Sequence, residues 1–491
     1  MMLTRRSMLR TAAAAAVTSV AAAAARASAA SAPELLATGA MRSDLDLLLH
    51  AFEAVHPGLG RYLPPGGFKP HVAAAGAWAA RERSLAEMFL MLTRLTAAVR
   101  CGHTYANPNN QTERVQAALF GRPDRLPLAF RWIGGRAIVT GGRGGAAPLP
   151  PGSELLAIDG VPSQQLLARM LPLSRADGGN DGKRLSQLGL GAHERMATFD
   201  VLRSLWSPAT GGVIPLRVRM PDGRERTLEL PGRTEAALQE SRRETGLGWR
   251  FEIDRDGVGR LTMPDWVTYR SKWNWRAYLD AAVDRLVDER ARGLVVDLRG
   301  NEGGTECGWH LLARLVERDT PLPRFARRTR YRRLPDALRP PLDTWDARFR
   351  DWGETAAGPD EHGWFALDDG DEEGDLVRPR GRRFAGQVAV LVDAACSSAT
   401  FQFANAVRET GLARLIGEPT GGNLRGINGG GYFFVRLPAT GLEVDLPIVG
   451  YFPAGPRPDR GVVPHDPGRV ARHDIVHGRD RALALALARL A

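Results

Sequence analysis

Along the first part of the chain, hydrophobic residues recur every three to four positions. Leu47-Leu-Leu-His-Ala-Phe52 and the run from Ala77 to Leu95 carry that spacing, the period of a helix with one buried face. A Pro/Gly-rich stretch from His56 to Gly67 separates them. Residues 35–120 therefore read as a helical domain, whose long second helix stops near Arg100-Cys-Gly-His-Thr104 with Gly102 as terminator. Over 125–232 the period drops to two. Asp159-Gly160 and Asp222-Gly223 each sit between apolar runs, the pattern of a hairpin turn. Residues 173–208 interrupt these strands, polar and glycine-rich at first and helical later, and read as an insertion. From 248 to 491, short apolar runs alternate with amphipathic ones: strands at Gly257–Pro264, Leu294–Leu298, Val388–Val392 and Ala413–Ile416, and helices at Trp275–Arg290, Gly308–Val316 and Ala399–Glu409. That alternation predicts an α/β core with mainly parallel pairing. Asp343–Arg383 is acidic, long for a loop, and reads as a solvated excursion. Strands return from Tyr432 to Pro447, and Ala482–Leu490 predicts a closing helix.

Composition narrows the partners. The chain has 491 residues, enough for two to four domains, and a formal charge of +11 carried almost wholly by arginine, since Lys69, Lys183 and Lys272 are the only lysines. Acids are interleaved and no basic run forms, which argues against nucleic-acid binding. Cys101, Cys307 and Cys396 are far apart, with neither a disulfide framework nor metal-ligand spacing. No HExxH or comparable cluster is present, so no metal and no cofactor is expected. Thr4-Arg-Arg-Ser-Met-Leu-Arg10, a soft alanine-rich run and Ala27-Ser-Ala29 form a signal peptide over 1–29 of the twin-arginine kind. The expectation is an exported protein, periplasmic or extracellular, without stable membrane insertion after cleavage.

Two segments carry chemistry. In Val388-Ala-Val-Leu-Val-Asp-Ala-Ala-Cys-Ser-Ser-Ala399 a buried strand runs through small residues into a helix, which exposes a serine hydroxyl at a positive helix end. Ser398 is the candidate nucleophile. Ser397 competes with it, and a plain helix N-cap is the structural alternative. In Asp297-Leu-Arg-Gly-Asn-Glu-Gly-Gly304 the glycines let backbone N–H groups approach developing negative charge. Gly303 and Gly304, with Ala399, are oxyanion candidates, and Asn301 is placed to orient the loop. Gly421, Gly422 and Asn423 are expected to line the cleft. A serine needs a base. His103, in a tight turn at a domain junction, ranks first and His465 second. His310 and His56 read as structural, and His473 and His477 rank low. Asp459, Asp466 and Glu418 are the acids available to orient the base, and spacing does not choose among them. The three lysines are remote in sequence from the Ser398 helix.

These segments resemble the tail-specific (C-terminal processing) serine peptidases, the S41 family. The likeness rests on Asp297–Gly304, Ser398-Ala399, Gly417-Glu-Pro-Thr-Gly-Gly422 and Gly461-Val-Val-Pro-His-Asp466 in that order. It implies a ClpP/crotonase-like core of mixed sheet and helices. Before it would come a helical domain and, through Pro151–Gly160, a diverged PDZ-like β domain over 125–232. It also implies a serine peptidase acting on peptide or unfolded protein. One departure matters. In the best-known branch a lysine follows Gly-Glu-x-Thr as the general base, and Asn423 stands there. A second branch takes a histidine from the first core strand, where this chain has Thr262. Either a histidine from elsewhere serves, or the fold is a catalytically silent binder of peptide or apolar ligand.

Overall fold

The computed structural model describes residues 35–490 except 193, 209, 241–247, 270, 324 and 369–375. The signal peptide of the twin-arginine kind expected over 1–29 lies outside the described residues. Among those residues no helix is long and apolar enough to cross a membrane.

The helical region forms as its periodicity predicts. Its main helices are α1 (Thr38–Val55) and α2 (Leu85–Ala98). Ser84 and Glu87 fix the start of α2 by a reciprocal capping box, which satisfies two otherwise orphaned N–H groups. Its end differs from expectation: Arg100 takes the left-handed conformation (φ 58°) and Gly102 does not. The buried faces of α1 and α2 share one core with Phe433, Val435, Leu446 and Ile448 from late in the chain. The helical region is thus packed onto a distant sheet and is no free-standing bundle.

The middle unit is an antiparallel sheet of β1 (Leu128–Ile133), β2 (Arg136–Gly142), β3 (Glu154–Ile158), β4 (Val213–Arg219) and β5 (Glu225–Pro231), in that spatial order. Asp159 and Gly160 both have positive φ (52° and 74°) after β3, the geometry of a tight type I′ hairpin turn. The expected insertion is not a peripheral loop. Phe199 and Leu202, in the helix Thr198–Trp206, fill the core of the β unit. Upstream, Ser174 to α3 (Asp181–Gln187) crosses to the C-terminal unit. Asn180 Nδ2 donates to the carbonyls of Thr420 and Gly422, at 2.8 Å each.

The C-terminal unit contains β6 (Arg250–Ile253), β7 (Val258–Thr262), α4 (Trp275–Asp288), β8 (Gly293–Asp297), α5 (Cys307–Leu312), β9 (Gln387–Val392), α6 (Ala399–Thr410) and β10 (Arg414–Gly417). It continues with β11 (Ile427–Arg436), β12 (Glu443–Pro453), β13 (Asp466–Pro467) and α7 (Arg481–Leu490). One sheet runs β13-β10-β9-β8-β7-β6. Its pairs are parallel except β6 with β7. A second sheet is antiparallel, built on β11 and β12 with Phe325–Thr329 beside them. Within the Asp343–Arg383 excursion, Ala356–Ala357 and Phe365–Leu367 extend that sheet, so the stretch is in part a sheet edge and not only solvated chain. In the parallel sheet Asp297 is in register with Leu391. The loops leaving β8 and β9 therefore emerge side by side at the carboxyl ends of the strands, where open α/β sheets place ligands.

Candidate active site

Ser398 stands at the N-cap of α6 with φ 53° and ψ −129°, and its side chain caps nothing. A serine held at positive φ costs about 1–3 kcal/mol. Its hydroxyl gains no capping bond in return, so the N-cap reading falls away. Ser397 is differently engaged: its hydroxyl donates to the Glu302 carbonyl at 3.3 Å. Cys396 is buried, with Sγ 3.1 Å from the Leu298 carbonyl.

Asn301 joins the pieces. Fully buried, it donates from Nδ2 to the Met263 carbonyl. Its Oδ1 accepts from the Gly303 N–H and from Thr400 Oγ1, at 2.8 Å each. The glycine loop is thereby pinned to the end of β7 and the first turn of α6. At Gly303 (φ 95°) a Cβ would fall 2.8 Å from both Ser398 Cβ and the Ser397 carbonyl, so only glycine lets the loop lie against the serine. The same geometry corrects one expectation. The Gly303 N–H is committed to Asn301 and does not point free into the site. The N–H groups of Gly304 and Ala399 donate to no other described residue.

Ser398, Gly303, Gly304 and Ala399 line a cavity of about 2280 Å³, and His103 lines it with them. It is the one histidine among the described residues to do so. The segment that carries it is clipped to β12 by the Asp445 N–H, which donates to the Tyr105 carbonyl at 2.9 Å. The ring lies 6.2 Å from that of Tyr432. Burial pushes the imidazole down to about 4, helped by Arg175 and Lys183 and opposed by Glu302, which leaves it neutral near pH 7.

Three other histidines weighed from sequence are occupied elsewhere. His56 contacts Thr104 Oγ1 at 2.7 Å and accepts the Gly58 N–H. His310 meets Asp280 at 3.1 Å. His465 accepts the Leu415 N–H and contacts Arg408, away from the cavity. Among the acids named from sequence, only Glu418 reaches the cavity, and Arg131 pairs with it at 3.3 Å. Asp459 accepts from the Gly179 N–H and from Asn423. Asp466 is held by Arg414 and Arg489 at the sheet edge, which draw its carboxyl down to about 2. Gly421 lines the cavity, whereas buried Asn423 ties Asp177 to Asp459 as a structural brace.

Sequence reasoning missed two residues that the crossing segment delivers. Lys183, remote from Ser398 in sequence, is buried in the cavity wall. Its ammonium bonds the Glu302 carboxylate and, at 3.0 Å, the Ala395 carbonyl three residues before Ser398. Burial would raise Glu302, but Lys183 and Arg175 outweigh it and hold the carboxyl down at about 2. Asp177 is also buried, accepts the Gly102 N–H at 2.9 Å, and is pushed by burial up to about 6. One of its oxygens lies within 4.8 Å of a His103 ring nitrogen and of Cys101 Sγ. A cluster of metal-ligand type therefore exists, contrary to expectation. The signal for both residues was the polar, glycine-rich composition of Ser174–Lys183 inside an otherwise β-type region.

A model of peptidase family S41 matches residues 257–432. No curated protein matches the chain. Among solved structures, mature CPAF is similar at 17% identity, covering 92% of this chain and 96% of that one with a TM-score of 0.57. Mature CPAF complexed with lactacystin is similar at 15% identity, 92% and 98% coverage and a TM-score of 0.60. At these identities the likeness shows the fold: a mixed α/β architecture with helical and β domains.

Proposed function

Because the chain belongs to the S41 peptidases through its core and is classed with them as a serine peptidase, we propose that it cleaves peptide bonds through an acyl-enzyme on Ser398. The observation that carries this reading is the uncapped, positive-φ Ser398 sharing one cavity with His103 and the glycine loop. Ser398 Oγ attacks the scissile carbonyl carbon while its proton passes to His103. The N–H groups of Gly304 and Ala399 receive the oxyanion. Collapse of the tetrahedral intermediate breaks the C–N bond, and His103 returns its proton to the leaving amine. Water, deprotonated by the same imidazole, then releases the acyl group as a carboxylic acid.

Asp177 is the acid we assign to orient His103 and to stabilise the imidazolium. Lys183, bridging Glu302 and Ala395, holds the glycine loop and the nucleophile turn together. A cavity of 2280 Å³ exceeds the roughly 300–1,000 Å³ of small-ligand sites and suits a length of polypeptide. Trp345, Tyr269 and Val267, all strongly exposed, line it and favour apolar side chains. We read the core as ClpP/crotonase-like and the middle sheet as a diverged PDZ-like unit, and the protein as exported.

The test is hydrolysis of an unfolded, fluorescently quenched protein substrate by the mature chain. Turnover is expected in the parent and is expected to vanish in Ser398→Ala. Undiminished turnover in Ser398→Ala would reject the assignment. Absence of turnover in the parent would favour the silent binding protein that Asn423 first suggested.

A further inference from the structure

Behind the His103 ring lies a donor set that the hydrolytic mechanism does not use in full. Cys101 Sγ, a His103 ring nitrogen and an Asp177 carboxylate oxygen all lie within 4.8 Å of one another. Cys101 and Asp177 are each 1% exposed. His103 Nδ1 is buried and has no hydrogen-bond partner among the described residues. The backbone is shaped to this convergence. Gly102 donates its N–H to Asp177 Oδ1 at 2.9 Å, and a Cβ there would fall 2.8 Å from Oδ2. Asn428 Nδ2 lies 3.2 Å from Cys101 Sγ and orients the sulfur. His103 and Asp177 also line the large cavity, which gives the cluster an open, solvent-reached side.

One thiolate, one imidazole and one carboxylate with an open fourth direction form a ligand set suited to Zn²⁺ and similar borderline divalent ions. We propose that Cys101, His103 and Asp177 form a binding site for such an ion, and that the ion, once bound, occupies the imidazole needed for hydrolysis. Binding displaces the Cys101 thiol proton to solvent and leaves the metal's oxidation state unchanged. Arg61, Arg175 and Lys183 surround Asp177 and oppose a dication. The site therefore answers to added metal and does not hold an ion tightly. The effect on activity rests on His103 being the base; the binding itself does not.

Co²⁺ titration of the folded mature chain separates the two claims. A thiolate-to-cobalt charge-transfer band should grow saturably, with a fitted stoichiometry of one ion per chain, and disappear on adding Zn²⁺. It should be absent in Cys101→Ala, and its affinity should fall at least about tenfold in Asp177→Asn, with folding of both variants checked by circular dichroism. Cys307 and Cys396 are buried in the parallel-sheet core and serve as internal controls. No band in the parent, or an undiminished band in Cys101→Ala, overturns the site. In the hydrolysis assay, Zn²⁺ should inhibit the parent at the concentration that displaces Co²⁺ and leave Cys101→Ala active. Equal inhibition of both overturns the link to activity even where the band is seen.

Discussion

At the residue scale, the unusual backbone at Ser398 and the missing side chain at Gly303 make one device. The serine is forced into positive φ, and the loop that would stabilise the oxyanion presses against its Cβ. Gly303→Ala should therefore lower kcat/KM at least about 100-fold, since a misplacement near 1 Å costs that much, while the melting temperature falls by only a few degrees. Retention of near-parent activity would show that the loop does not sit where the chemistry occurs. A second prediction concerns pH. Burial, with Asp445 nearby, pushes the Glu443 carboxyl up to about 7, while Arg436 opposes and Asp343 adds to the rise. A raised carboxyl penalises the ionised folded form. The penalty is absent below the unfolded value near 4.5, grows through the window up to about 7, and is full above it. Glu443→Gln should thus stabilise the protein at pH 8 by on the order of 2 kcal/mol and have little effect at pH 4.5. Denaturant midpoints at the two pH values read this directly, and equal shifts at both would contradict it.

At the element scale, what was legible in the sequence was what is local. Strand, small-residue turn and helix follow one another within a dozen residues around Ser398, so periodicity and turn chemistry were enough to find them. The Asp159-Gly160 hairpin was legible for the same reason. The crossing segment was not, because Ser174–Gln187 gains its meaning from partners more than a hundred residues away: Glu302, Ala395, Thr420 and Gly422. No spacing rule reports that Lys183 meets the turn before Ser398 or that an Asp177 oxygen comes within 4.8 Å of a His103 ring nitrogen. The proposed oxyanion donors were half legible: the glycines are evident, but the commitment of the Gly303 N–H to Asn301 depends on a tertiary fold. Asn180→Ala tests the segment's role. Two bonds to the Thr420 and Gly422 carbonyls would be lost, about 1–3 kcal/mol, and hydrogen exchange should accelerate across both 178–187 and 417–423. Acceleration confined to 178–187 would mean that the segment is an appendage.

At the scale of the whole molecule, the parts of the proposed catalytic site come from all three regions. His103 leaves the helical region, Asp177 and Lys183 arrive from the β unit's crossing segment, and Ser398 with the glycine loop belongs to the parallel sheet. The shared core of α1, α2 and the β11–β12 sheet joins the helical region to the C-terminal unit. Leu446→Ala, at a fully buried position in that core, should cost about 2–5 kcal/mol and lower the midpoint of helical and tryptophan signals together. Separation into two transitions would contradict a common core. On the proposed reading, such an assembly also supplies a base to a chain with Asn423 in place of lysine, because His103 from another region lines the same cavity as Ser398. The most direct test is the rate of fluorophosphonate labelling of the intact mature chain, followed by mass spectrometry. The account predicts one adduct on Ser398, none in Ser398→Ala, and labelling slowed at least about 100-fold in His103→Ala. An adduct that persists in Ser398→Ala, or an unchanged rate in His103→Ala, would contradict it.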